Sequence, residues 1–376
     1  MKKLKLPSID FQKIRESEKI KESYRTLVIA LSLCLALTIS GLILFVTESS
    51  PLDVFSSIVK GSFGSKASIV MTLNHTAPIL LVATGAVIAG RADLLNIGQE
   101  GQMIIGAIFA VTVGLYMPGP RWVVLPLILI TATTAGALWA GIAATMKFKR
   151  GVNEVISTLL LIVVASQVVS FAVNRSWLLR EDKPEGYGAP LARTNALESE
   201  NLMPVLAQGA GFRLNGGILV AIFATIAITL ILNRTRWGFY LRMTGLNSDT
   251  AKAQGVSTVL LGSSALLISG AFAGLSGGVI LTGTAYRVSD GFSSGYGWTG
   301  LLAAFVANLN PKMLIPSTLL FGALRAGGGV LTSTGVSTNI VGVIQGLIVL
   351  SVVVPSVIFK TIDRNKSSMS LKLDRT

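Results

Sequence analysis

The chain has 376 residues, 51% of them hydrophobic and only 13% charged, with a mean hydropathy of +0.67. An ordinary soluble domain carries about 25% charged residues, so this composition excludes a soluble globular protein and a disordered one. The net charge of +14, from 32 Lys and Arg against 18 Asp and Glu, leaves two classes open: a nucleic-acid binder, or a membrane protein with a basic cytoplasmic face.

Residues 1–25 hold eight Lys and Arg and four Asp and Glu. They read as a solvated basic arm or an interfacial helix. Thr26 to Val46 is 21 residues without a charge, long enough to cross a hydrocarbon core of about 30 Å. It lacks a clean small-residue cleavage site, so it reads as an uncleaved span rather than a signal peptide. Further apolar runs lie at Ile69–Gly90, Met103–Met117, Trp122–Met146, Val155–Val173, Gly217–Leu232, Val259–Ile280, Gly300–Ala307, Met313–Leu324 and Ile340–Phe359. The pattern predicts an all-α polytopic membrane protein of about ten spans. Gly270, Gly274 and Gly278 fall at small-xxx-small spacing, which lets helix backbones approach closely in lipid.

The charges sort by loop. With the N-terminus inside, the arm, the segments around Lys147–Arg150 and 234–256, and the tail from Lys360 together hold twenty of the 32 basic residues. The long loop at 174–213 falls on the other side and has five basic and five acidic residues. This is the positive-inside distribution, and it predicts that both termini are cytoplasmic. It also removes the nucleic-acid reading, because no continuous basic face with interleaved aromatics exists. A single cysteine, Cys34, and a single histidine, His75, exclude an internal disulfide, a Cys-based zinc site and a His-cluster metal site. No Walker A string, G-x-S-x-G elbow, His-Glu-x-x-His or EF-hand loop occurs, so neither an ATPase site nor an enzyme site is expected.

Three segments carry polar and glycine residues next to apolar runs. Arg91–Gln102 sets Asn96, Gln99, Glu100 and Gln102 between two runs. It reads either as a discontinuous helix lining a substrate path or as a short polar turn. Gly238–Val256 predicts a short helix over Ser248–Gln254, with Asn247 or Ser248 as its cap, Asp249 in its first turn and Gly255 at its end. A helix that short needs something to pack on: a cytoplasmic partner or its own bundle. Tyr286–Trp298 is aromatic and Gly-rich, and is expected outside or at the interface, as an anchor or as a stacking face for a flat ligand. Among isolated polar residues, Asn74 and His75 lie within a run, His75 as an interhelical hydrogen-bonding group, and Glu154 sits near a helix start that the dipole explains.

The string Leu95-Asn96-Ile97-Gly98-Gln99-Glu100-Gly101-Gln102, with the Gly238…Arg242…Gly245…Asn247…Ala251…Gly255 pattern and Asn310-Pro311 before Leu320-Phe321-Gly322-Ala323-Leu324-Arg325-Ala326-Gly327-Gly328, resembles the permeases of bacterial ABC importers. The superfamily serves ribose-type sugars and branched-chain amino acids, and the similarity is nearest to nucleoside permeases. It extends over residues 26–360, leaving the arm at 1–25 and the tail at 361–376. The position of Leu246 usually holds an acidic residue, and that of Ser248 a proline.

The resemblance implies a bacterial cytoplasmic-membrane permease. It would pair with a second permease, identical or paralogous, to form a pathway for nucleosides working by alternating access. A separate ABC ATPase would bind ATP and magnesium, this chain holding no cofactor, and a substrate-binding lipoprotein would deliver the solute. Asn96, Gln99, Glu100 and Gln102, with Asn74 and Tyr296, are the expected pathway residues. Gly238, Arg242, Gly245, Asn247, Asp249, Lys252 and Gly255 are the expected ATPase-coupling residues. A sugar or branched-chain amino acid permease is the alternative. An ion-coupled transporter would instead use carboxylates such as Glu100, Glu154 and Asp290.

Overall fold

The computed structural model describes residues 50–182 and 190–333, with single positions between 28 and 42 and between 342 and 355. The arm over 1–25, most of the runs at 26–46 and 340–359, and the tail over 361–376 lie outside the described residues. Eleven helices and one two-stranded hairpin make up the described part: α1 Pro51–Phe63, α2 Lys66–Arg91, α3 Gln99–Tyr116, α4 Arg121–Arg150, α5 Glu154–Asn174, β1 Val205–Gly209, β2 Phe212–Asn215, α6 Gly217–Arg234, α7 Arg236–Leu246, α8 Ser248–Ala253, α9 Thr258–Ile280, α10 Tyr296–Val306 and α11 Leu314–Ser333. Six segments among the described residues are long and apolar enough to cross a membrane. They contain α2, α4, α5, α6, α9 and α11, and the chain is a polytopic membrane protein.

α2 is the axis of the bundle. Its window is 78% buried, and its residues from Thr76 to Ala89 are buried without interruption. A helix apolar on every side must be covered on every side, and α6, α9, α10 and α11, with β2 at one end, do this. The tightest contact joins α3, α4 and α9. A Cβ on Gly274 would meet the Ala132 carbonyl, and one on Gly136 would meet the Gly270 carbonyl. Gly106 on α3 faces the Gly274 Cα, 2.6 Å from where its own Cβ would stand. The glycines replace side-chain contact with backbone contact, the way helices associate where lipid removes the hydrophobic drive.

The two ends of the bundle differ. At one end the hairpin β1–β2 turns through Ala210 and Gly211, whose φ is +77°. This hairpin inside the 174–213 loop adds a small β element to an otherwise helical chain. At the other end lie α7 and α8. Lys147, Lys149 and Arg150 close α4 at that same end, and Arg234 closes α6 there. α7 is a helix of 11 residues where a loop was expected. Thr235 caps it, and Leu241 is fully buried as its anchor.

Two helices start part-way through the bundle. α2 ends at Arg91 beside α7, yet the chain then folds back so that Gln99 donates to the Val82 carbonyl at 2.8 Å. α3 therefore begins level with the middle of α2. It begins at Gln99, four residues before the predicted run, because most of the polar groups of its first turn find partners inside the protein. The segment after α9 does the same from the opposite end. A π-turn at Leu281–Ala285 closes the α9 span, and Tyr286 follows in the left-handed region at φ +61°. The chain then descends to Tyr296, where α10 starts, and Gly300 of α10 lies against Val82. The segment expected at the surface thus ends inside the bundle. With 11 residues α10 covers only about 16 Å, and beyond it Leu309 reaches Gly90 near the end of α2.

Candidate functional site

The starts of α3 and α10 meet on the Glu100 carboxylate. Oε1 accepts from the Gly295 amide at 3.0 Å. Oε2 accepts from the Gly297 amide at 2.6 Å and the Trp298 amide at 3.3 Å. These are the free N–H groups of a helix start, where a carboxylate also meets the favourable end of the dipole. Gly297 is required there, since a Cβ would stand 2.5 Å from the Glu100 backbone nitrogen. The side chain of Glu100 is spent on holding α10 to α3.

Around it the other expected pathway residues form a knot. Asn96 and Gln102 exchange two amide hydrogen bonds, both 2.9 Å. Asn96 also donates to Ser269 Oγ on α9 at 2.9 Å. Asn96, Gln99 and Gln102 are all buried. The knot ties the 92–98 segment to α3 and α9 so that irregular backbone survives at membrane depth. Gln99 Oε1 is buried and has no hydrogen-bond partner among the described residues.

Asn74 and Tyr296 lie on the side toward the hairpin. Asn74 donates to the Arg213 carbonyl at 2.8 Å and accepts from the Asn215 amide at 3.3 Å, fastening β2 to α2. Tyr296 Oη is hydrogen-bonded to His75 Nδ1. The Arg325 guanidinium lies 3.8 Å from the centroid of the Tyr296 ring and donates to the Ser294 carbonyl at 2.6 Å. His75 therefore has an interhelical partner, as its place in a run suggested. Arg325 was not singled out from the sequence. Its signal was present: an arginine within a span is a functional candidate by default.

One surface beside this knot exposes polar groups among apolar side chains such as Leu160, Val163 and Phe171. On α5, Ser166, Gln167 and Asn174 are exposed and Ser170 is half-buried, with Gln167, Ser170 and Asn174 at helical spacing on one face. Ser170 Oγ lies 3.4 Å from Asp290 Oδ2. The neighbouring descending segment exposes Asp290, Ser294 and Trp298, the last at 41%.

The expected coupling residues come together in α7 and α8. Asn247 Oδ1 accepts from the Asp249 and Thr250 amides, both at 3.0 Å, as the cap of α8. Gly238 packs on the Leu232 carbonyl and Gly245 on the Arg91 carbonyl, so α7 lies flush on the ends of α6 and α2. Ala251 is fully buried and seats α8 on the bundle. The remaining surface faces outward. Asp249 and Lys252 form an exposed pair at 3.5 Å, and Gly255 turns the chain at φ +76°. Arg242 reaches Asn233 at 3.4 Å. Leu246 is 87% exposed at the corner. In the sequence this position stood out only as a departure from an acidic residue.

At the hairpin end a second cluster joins Glu181 to Leu191, Arg193 and Arg287. Glu181 is nearly inaccessible. It accepts from Arg193 at 2.7 Å, Arg287 at 3.3 Å and the Leu191 amide at 3.0 Å. The hydrogen bond from Arg193 holds its carboxyl below the ordinary 4.5, against the opposing effect of burial.

Residues 68–353 match the family described as branched-chain amino acid transport system / permease component. The chain belongs to this family. It is an ABC transporter permease and an integral membrane protein. The guanosine ABC transporter permease protein NupP of Bacillus subtilis is 31% identical over 336 residues, 89% of this chain and 94% of that protein. The glucose ABC transporter permease protein TsgB13 of Haloferax volcanii is 30% identical over 85% of each chain. The nucleoside ABC transporter permease protein NupB of Lactococcus lactis is 27% identical over 89% of this chain and 92% of that protein.

Proposed function

We propose that this permease forms one half of the membrane pathway of an ATP-driven nucleoside importer in the bacterial cytoplasmic membrane. The observation that carries the reading is the pair of ends described above. A flush, outward-facing α7–α8 elbow stands at the end with Lys147, Lys149, Arg150 and Arg234. A charge-balanced loop and a hairpin stand at the other. The basic end is the cytoplasmic one, both termini lie on that side, and about ten spans complete the bundle. A separate ATPase, holding ATP and magnesium, docks on Gly238–Gly255 with Leu246 in its groove. A substrate-binding lipoprotein docks at the hairpin end.

The pathway runs along the exposed polar face of α5 and the descending segment, closed by a second permease. Gln167 and Asp290 are groups that are costly against lipid, and Ser166, Ser294 and Trp298 stand with them on this wall. Trp298 offers a stacking face to a nucleobase, and Gln167 an amide for its edge. Asn96, Gln99, Glu100 and Gln102, together with Asn74 and Tyr296, stand behind this wall and hold it in position. Closure of the ATPases moves the elbow. The elbow bears on the ends of α2 and α6, and α2 reaches the knot through the hydrogen bond from Gln99 to the Val82 carbonyl.

The similarity to NupP and NupB supports the nucleoside. The similarity to TsgB13 supports a sugar as the second reading. Competition uptake in cells expressing the full transporter separates them. Excess guanosine or uridine is expected to abolish uptake of labelled guanosine, with glucose and leucine inert. Uptake of labelled glucose insensitive to nucleosides would replace the first reading with the second.

A further inference from the structure

A groove of about 590 Å³ runs between α4 and α9 toward the basic end. Its α4 wall is Leu138, Gly141, Ile142, Thr145 and Phe148, with Lys149 at the end. Val259, Ser263 and Leu267 form the α9 wall. Both sets follow helical spacing, so each is one continuous face of its helix. The groove has a structural origin. α4 and α9 touch backbone to backbone at Gly136, Gly270 and Gly274, and then separate. At Gly141 the nearest atom to an added Cβ is Leu267 Cγ, 3.9 Å away.

We propose that this groove binds one anionic phospholipid, its acyl chain along Gly141 and its phosphate at Lys149. The shape selects a single extended chain. From Leu138 to Lys149 the wall is about 16 Å long, the reach of an extended acyl chain, and the volume lies within the range of a pocket for one small ligand. The lining is mostly apolar, with the hydroxyls of Thr145 and Ser263 along it and its one charge, Lys149, at the end, which matches a molecule with an apolar tail and one charged head. The charge at that end is positive. Lys147 is engaged by Glu154 at 2.6 Å, while Lys149 and Arg150 are exposed in the last turn of α4. An anionic headgroup is favoured over a zwitterionic one there. Because α4 and α9 also meet at the Gly136–Gly274 contact, an occupant would brace the joint on which α3 and its knot rest. The inference stands whether the transported solute is a nucleoside or a sugar.

The test is native mass spectrometry of the purified permease, detergent-released with defined phosphatidylglycerol or phosphatidylcholine. Wild type is expected to retain one phosphatidylglycerol in preference to phosphatidylcholine. Lys149→Gln is expected to lower phosphatidylglycerol retention about fivefold, the worth of one lysine near an anionic surface, and to leave phosphatidylcholine unchanged. Gly141→Leu fills the groove and is expected to remove both lipids. Val259→Trp blocks it from the other wall at a position already 52% exposed, and serves if Gly141→Leu does not yield a monodisperse protein. Unchanged phosphatidylglycerol retention in the Lys149 variant and in either filling variant overturns the proposal. So does a protein chain, rather than lipid, cross-linking to a photoreactive residue at Ile142.

Discussion

Glu100 carries three amide hydrogen bonds that join the start of the 18-residue α3 to the start of the 11-residue α10. Removing it would strand those donors in a site that water does not reach freely. Glu100→Ala is expected to cost about 2–4 kcal/mol, and Glu100→Gln, which keeps an acceptor but loses the charge at the helix start, about 1–2 kcal/mol. Thermal unfolding of the purified protein, followed by tryptophan fluorescence, measures both. A Gln variant as unstable as the Ala variant would show that the charge is the whole effect.

Glu181 makes a prediction of opposite character, since it lies in a loop outside the spans. Its carboxyl is held below 4.5, chiefly by Arg193. A depressed carboxyl stabilises the fold above its unfolded value, and that contribution is lost as pH falls through the lower, folded value. The 174–213 loop is therefore expected to stay protease-resistant at neutral pH and down to about 4.5, then loosen on further acidification. Glu181→Gln is expected to be cleaved already at neutral pH. A loop cut equally in both proteins at neutral pH would remove Glu181 as its clamp.

Among elements, α8 is the least self-sufficient. Six residues do not hold a helix in water, and α8 persists because Asn247 caps it and Ala251 is buried. Its outward charges can then change without unfolding it. Reversing Arg242 and Lys252 together is expected to leave membrane insertion intact and to abolish substrate-stimulated ATP hydrolysis in reconstituted vesicles. Unaltered stimulation would mean that the ATPase docks elsewhere. The α4–α9 contact responds in the contrary way. Gly274→Ala must push Ala132 and its helix aside, at a cost of about 1–3 kcal/mol of overpacking. A lowered melting temperature with normal insertion is the expected result. Gly141→Ala, whose Cβ would make only ordinary van der Waals contact with Leu267 on the same two helices, serves as the neutral control.

At the scale of the molecule, the proposed wall is a surface and not a cavity, because its second half would come from another permease. Trp298→Ala is expected to raise the KM for uptake about tenfold or more, in keeping with the loss of one base–aromatic stack of about 1–3 kcal/mol. Trp298→Phe is expected to recover most of it. An unchanged KM with a lower maximal rate would place Trp298 in the moving parts instead of against the solute.

Much of this architecture was legible in the sequence, and the reason is the bilayer. Every span must be apolar over a fixed length, so the runs at Ile69–Gly90, Trp122–Met146, Val155–Val173, Gly217–Leu232 and Val259–Ile280 fall within α2, α4, α5, α6 and α9. The α8 helix was legible from capping, since Asn247 acts through neighbours two and three residues away. What failed was reading depth and direction. Polarity in Asn96–Gln102 and in Tyr286–Trp298 marks both segments as special, but cannot say that each turns back into the bundle. Whether a polar side chain meets water or another side chain depends on partners far along the chain. Asn96 needs Ser269, Glu100 needs Gly295 and Gly297, and His75 needs Tyr296. The sequence by itself determined that this chain lives in a membrane, which end is basic, and which family it resembles, because hydrophobic length, charge placement and motifs are local properties. Only the tertiary structure decided that the most conspicuous polar motif is an internal clasp, and that the exposed polar face lies on α5 and beside Trp298, because burial belongs to the packed bundle.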